Sequence, residues 1–213
     1  MAKTQAFDKY FDEYDNWFVK NKYAFQSELN AIKKVLPVSG KGIEIGIGSG
    51  IFAEPLGIFE GIEPSFAMRN KAMQRNINVI DAIAENLPYS NKSKGFALLV
   101  TTICFVDDIY KSFSEVYRIL KYNGSLIIGF VDKNSPIGKI YLEHKDKSLF
   151  YKDATFYGTE ELYEILKISG FEIQNTYQTL FGKSDEINEV QDVRKGYGQG
   201  SFVVIKAIKK SKI

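Results

Sequence analysis

The chain is poor in cysteine and histidine, lacks a long apolar run and carries no excess of one charge. Cys104 is the only thiol among 213 residues, which excludes an internal disulfide framework. No stretch approaches the roughly 18 apolar residues of a membrane span, and the polar start over 1–5 lacks the apolar core of a secretory leader. These absences predict a cytoplasmic protein with no membrane partner. With 28 basic and 26 acidic residues mixed along the chain, the net charge is only +2, so no basic footprint for nucleic acid results. His144 is the single histidine, and no cluster of His, Cys and carboxylates has ligand spacing, so no metal is expected. A small-molecule partner remains by default, bound by a monomer or a homodimer.

The informative stretch is 41–50, where apolar or small residues surround Glu44 and three glycines follow at spacing two, Gly46, Gly48 and Gly50. A short buried strand running into such a loop lets a ligand touch the backbone, and a Cβ at Gly46 or Gly48 is expected to fill space the ligand needs. Before it, Phe7, Tyr10, Phe11, Tyr14 and Phe18 recur at helical spacing, and a second helix is expected over 23–36, with Ser39 and Gly40 as the link. Tyr14 and Trp17 either pack this cap onto the core or close a pocket from above.

After the loop, a short helix over 51–56 ends at Gly57, and a strand over 58–62 ends at Glu63. A carboxylate there lies across from the glycine loop, where it can accept hydrogen bonds from ribose hydroxyls. Ser65 caps a helix over 66–75; strands follow at 78–80, 96–101 and 125–131, with a loop at 84–89 and a helix capped by Asp107 or Asp108. This alternation predicts an α/β Rossmann-like doubly wound sheet, mostly parallel with an antiparallel closing strand, two N-terminal helices and a helical lid insertion after the fifth strand. One domain is expected over 1–213: a helical cap (1–40), a cofactor-binding core (41–131), the lid insertion (132–158), and a C-terminal helix with closing strands (159–213). The polar connection 182–200, with Tyr197 between glycines, is expected to be a functional flap or a mobile loop. The basic tail 206–212 is expected to be solvated.

Gly42-Ile43-Glu44-Ile45-Gly46-Ile47-Gly48-Ser49-Gly50, Gly61-Ile62-Glu63-Pro64-Ser65, Ala84-Glu85-Asn86-Leu87-Pro88-Tyr89 and Tyr117-Arg118-Ile119-Leu120-Lys121-Tyr122-Asn123-Gly124 carry a resemblance. In order and spacing they are similar to class I S-adenosylmethionine-dependent methyltransferases of the small-molecule type, related to the ubiquinone and menaquinone biosynthesis methyltransferases. The runs 101–108 and 196–202 also resemble a small bacterial subgroup labelled possible histamine N-methyltransferase. The resemblance implies S-adenosylmethionine as cofactor and S-adenosylhomocysteine as product. It implies Gly46, Gly48 and Gly50 against the methionine moiety and ribose, Glu44 near the amino group, Glu63 on the ribose, Ala84 and Glu85 at the adenine edge, and Thr101 beside the sulfonium. Ile47, Pro64, Ser65 and Asn86 belong to the same implied set. Ile83 stands where the pattern often has Asp or Thr, and Phe96-Ala97 where it has Phe-Asp.

A sulfonium carries an activated methyl group, so such an enzyme must align a nucleophile, exclude water and manage one proton. A base is optional for an amine or thiolate and required for a phenol or carbon acid. His144, Tyr14 and Tyr157 are the candidates for that proton, although His144 also reads as a solvated residue on a charged helix. Cys104 reads as a core thiol. Tyr14, Trp17, Phe105, Tyr151, Tyr157 and Tyr197 are expected to shape a substrate pocket. Two other readings stay open: a nicotinamide-dinucleotide-dependent oxidoreductase, whose fingerprint wants glycine where Ile51 stands, and a noncatalytic S-adenosylmethionine-binding protein.

Overall fold

The computed structural model of the chain describes residues 3–38 and 40–210. Ser39 of the expected link, the first two residues of the polar start and the end of the expected basic tail lie outside them. β1 (Gly42–Ile45), β2 (Glu60–Ile62), β3 (Asn78–Ile80), β4 (Lys94–Val100) and β5 (Leu120–Val131) pair in parallel. β6 (Phe171–Thr179), β7 (Arg194–Lys195) and β8 (Phe202–Lys209) add antiparallel pairings, giving one sheet in the order β3-β2-β1-β4-β5-β8-β6-β7.

The apolar runs of β4 and β5 are buried on both faces, as a parallel sheet requires. Ala97, Leu99, Leu126 and Ile128 face one core, with Phe113 and Val116 of α6 (Ile109–Ile119) and Leu162 and Leu166 of α8 (Thr159–Ile168). Phe96, Leu98 and Ile127 face the other, with Leu29 and Ile32 of α3 (Lys22–Lys33) and Ala53 of α4 (Ala53–Leu56). The alternation follows from the period of two along a strand. Asp108 caps α6 by accepting from Lys111 N, and Ser65 caps α5 (Phe66–Gln74) by accepting from Met68 N.

The first expected helix is two, α1 (Gln5–Lys9) and α2 (Phe11–Lys20), because Tyr10 leaves helical backbone at φ −119°, ψ 35°. Asp8 of α1 reaches across to accept hydrogen bonds from Ser65 Oγ and Ala67 N. The lid segment holds α7 (Pro136–Glu143), capped by Ser135, and a short 3-10 turn over Lys145–Lys147. The connection 182–200 is tied down: Gln191 brackets Phe181, accepting from its N and donating to its O, and Gln191 N donates to Ser27 Oγ of α3. The sheet order reverses between β1 and β4, so a crevice opens at their carboxyl ends.

Phe113 is fully buried whereas Tyr110, one turn earlier, is half exposed. Phe113→Ala should therefore cost about 3–5 kcal/mol of stability, and Tyr110→Ala within about 0.5 kcal/mol. Urea unfolding checks both; equal midpoints would refute this seating of α6.

Candidate active site

At the crevice lies a cavity of about 520 Å³, inside the range of roughly 300–1,000 Å³ typical of ligand pockets. One wall is made by strand ends, including Gly46, Gly48, Glu63, Pro64, Ala84, Glu85 and Thr101; the roof comes from α1, α2 and the segment after β5. The three glycines of the loop all have positive φ but do different things. A Cβ at Gly46 would strike Thr102 Cγ2 at 2.4 Å, and one at Gly50 would strike Ile77 Cδ1 at 2.5 Å. Those two are needed for packing, contrary to the expectation that Gly46 clears space for a ligand. Only at Gly48 does the Cβ direction look into the cavity, with Tyr14 Oη the nearest atom at 3.8 Å.

Beneath the loop sit two buried carboxyls, Glu44 on β1 and Glu63 after β2, which are 1% and 7% exposed. Glu63 Oε2 accepts from Gly48 N at 2.9 Å and Oε1 from Ser65 N at 2.8 Å, so this side chain stitches the glycine loop to the exit of β2. Burial pushes the Glu63 carboxyl up to about 7, against the pull of those amides and of Arg69. Burial, then the charge of Glu63, holds Glu44 well above the carboxylate range. Glu44 Oε2 has no hydrogen-bond partner among the described residues. Burial and the charges of Glu44 and Glu63 also raise the Tyr14 hydroxyl. Thr101 has φ +49°, a strained value for a β-branched residue and of the kind found at ligand sites.

The remaining expected residues divide. Ile83 and Ala84 line the wall, whereas the Glu85 carboxylate is turned to Asp107 N and Asp108 N, pinning the start of α6. Ile47 is core, Ser65 is occupied as a cap, and exposed Asn86 closes a turn on Ile83; none of the three lines the cavity. In the roof, Phe105 meets Phe7 edge-on at 5.0 Å and stacks on Tyr151 at 5.9 Å, and Phe150 lies 5.4 Å from Phe7. Tyr14 and Trp17 line the same space. His144 stands exposed at its rim with Nδ1 on the Ile140 carbonyl.

Two expected pocket residues are not there. Tyr157 lies in a small satellite void beside Cys104, whose thiol donates to Thr101 O and is pushed by burial up to about 12. Tyr197 packs edge-on against Tyr163 and donates to Glu160, because β7 and the Gln191 bracket carry the 182–200 connection along β6. The sequence reading missed Thr102, Val106, Met68 and, above all, Glu28 of α3, all of which line the cavity. A glutamate among Ala24, Ser27, Leu29, Ala31 and Ile32, all buried, was the available signal. Among the described residues no cluster of His, Cys, Asp and Glu is arranged to hold a metal ion. No helix among them is long and apolar enough to cross a membrane.

Comparison with known proteins places this geometry. The profile of the family "Methyltransferase domain" matches residues 43–128. An uncharacterized protein of Methanocaldococcus jannaschii is 43% identical over 204 residues, covering 96% of this chain and 98% of its own. A ubiquinone/menaquinone biosynthesis C-methyltransferase of Campylobacter jejuni is 30% identical over 147 residues, 59% of this chain and 63% of its own. The crystal structure of a Thermotoga maritima S-adenosylmethionine-dependent methyltransferase, described as a possible histamine N-methyltransferase, superposes with a TM-score of 0.93. It is 47% identical, and the match covers 96% of this chain and 98% of that one. With likeness running end to end at that identity, and the glycine loop and its acids at the sheet's switch point, this chain belongs to the S-adenosylmethionine-dependent methyltransferases.

Proposed function

We propose that the cavity binds S-adenosylmethionine along its strand-end wall and a small-molecule methyl acceptor under the aromatic roof. The observation that carries this reading is the open Gly48 position facing the cavity with the Glu63 carboxylate held beside it. Glu63 uses one lone pair of each oxygen on an amide, leaving acceptor capacity for ribose hydroxyls. Glu44 lies beneath the loop and does not itself line the cavity, so its unpartnered Oε2 would reach the ligand's amino group through a water. Ile83 and Ala84 offer an apolar edge to adenine; Ile83 supplies no side-chain hydrogen bond there.

Bound S-adenosylmethionine supplies an activated methyl group on a sulfonium. The protein's part is to orient and to dry the site. Strained Thr101 sets the floor at the crevice, and Phe7, Phe105, Phe150 and Tyr151 close over it. The segment 132–158 thus acts as a lid together with α1 and α2. The dinucleotide alternative gives way because the family is that of methyltransferases and its cofactor contains no such group.

Glu63→Ala should weaken S-adenosylmethionine and S-adenosylhomocysteine equally, by about 1.5–3 kcal/mol, as expected for hydrogen bonds to a charged group. Calorimetric titration decides it, and a loss confined to one ligand would contradict the ribose assignment.

A carboxyl raised from 4.5 unfolded to about 7 folded binds a proton more tightly in the native state. Its stabilising contribution is complete below pH 4.5 and is lost as pH rises through about 7. Wild-type protein without ligand should therefore lose unfolding free energy between pH 5 and pH 8, and Glu63→Gln should lose less. Urea unfolding at the two pH values tests the difference; parallel slopes would place Glu63 in a wetter setting.

If residues 132–158 close over the ligand, amide hydrogen exchange there should slow on adding S-adenosylhomocysteine, while β6 and β7 at the far edge change little. Unchanged exchange in 132–158 would remove the lid.

A further inference from the structure

Glu28 has no role in the site as so far described, yet it is 95% buried, with 5% exposure, and lines the cavity. It stands in the middle of α3, where the neighbouring inward positions are Ala24, Ala31 and Ile32. Among the described residues no lysine, arginine or histidine pairs with its carboxyl and no donor bonds to it. A buried acid with no partner is costly unless something else satisfies it. Packing does not ask for it, because an apolar residue would serve the helix face better.

The surroundings indicate what would satisfy it. Trp17 and Phe18, which meet edge-on at 5.0 Å, line the same cavity. Tyr141 and Tyr151 stack at 5.0 Å, and the Glu28 charge acts on both their hydroxyls. All five residues line the same cavity. One carboxyl among aromatic faces suits an organic cation, which gains an ion pair and ring contacts together. We propose that Glu28 is the anchor for a positively charged nitrogen on the methyl acceptor, an organic ammonium small enough to share the cavity with the cofactor. The inference rests on the methyl-transfer reading of this cavity.

Burial alone pushes the Glu28 carboxyl up to about 8. The other titratable groups sharing the cavity are Glu13 and Tyr14 of α2, Tyr141 of α7, His144, Lys147 and Tyr151 beyond it, Lys3, and Glu63, Glu85 and Asp107 on the strand-end wall. At pH 7 the empty site thus holds a neutral acid. Binding an ammonium ion gives an ion pair and expels one proton to solvent: COOH plus R–NH3⁺ becomes COO⁻ with R–NH3⁺ and H⁺.

The test uses the full chain saturated with S-adenosylhomocysteine and three matched probe pairs: propylamine and 1-propanol, phenethylamine and 2-phenylethanol, tryptamine and tryptophol. Calorimetry at pH 7 in phosphate and in Tris reads affinity and proton release. In at least one pair the ammonium member should bind ten-fold or more tighter than the alcohol and release close to one proton, with affinity rising from pH 6 to pH 8. Glu28→Gln should abolish the preference and the proton release while keeping S-adenosylhomocysteine affinity within two-fold. It should also raise the thermal midpoint of the ligand-free protein at pH 8, where a purely structural glutamate would lower it. Equal binding within all three pairs, or a preference retained in Glu28→Gln, overturns the proposal. Failure of wild-type protein to bind S-adenosylhomocysteine would instead overturn the methyl-transfer reading; the probe comparison itself needs no variant.

Discussion

The Glu63 carboxylate is the joint on which the site depends. By accepting from Gly48 N and Ser65 N it fixes two chain segments that leave adjacent strands, and it does so from inside the protein, where a carboxylate is expensive to keep charged. The fold tolerates this because backbone amides, not water, face it. The positive-φ turn at Gly48 and the cap at Ser65 both meet the same side chain, so loop shape, helix start and site polarity are set together.

Much of this was legible in the sequence, for physical reasons that differ by element. β4 and β5 announced themselves as apolar runs because both faces of a parallel strand are buried. Ser65, and Asp108 as one of two neighbouring acids, were readable as caps because only short polar side chains reach the free amides of a helix start. The break at Tyr10 was not, since the residues on either side of it dock on partners distant in sequence, Asp8 on Ser65 and Ala67 and Asp12 on Lys71. Nor was the division of labour among the glycines, which depends on Thr102 and Ile77. Tyr197 looked like a pocket residue from its flanking glycines, but the course of 182–200 is decided by Gln191 gripping Phe181. Glu28 escaped notice because an acid inside a helix usually marks its wet face, and only the tertiary fold turns that position inward.

The cavity has acids and backbone amides on its strand-end wall and aromatic rings in its roof, the division on which the proposed placement of cofactor and acceptor rests. Acids and amides cluster at the ends of β1 and β2, whereas the rings come from α1, α2 and the segment after β5. The helices α1 and α2 and the segment after β5 lie outside the matched span 43–128, whereas Phe105 and the strand-end wall lie within it.

The N-terminal helices are held over the loop by a few polar contacts: Asp8 to Ser65 and Ala67, Asp15 to Ser49, and Lys71 to Asp12 and Asp15. Residues near the start of the chain thus dock on a surface that does not exist until α5 has been synthesised. Phe18 meets Phe25 and Phe52 nearby in sequence, but Phe7 and Tyr14 meet Phe150 only much later in the chain. Local loss of these few contacts would release α1 and α2 and open the cavity without breaking a strand pairing of the sheet.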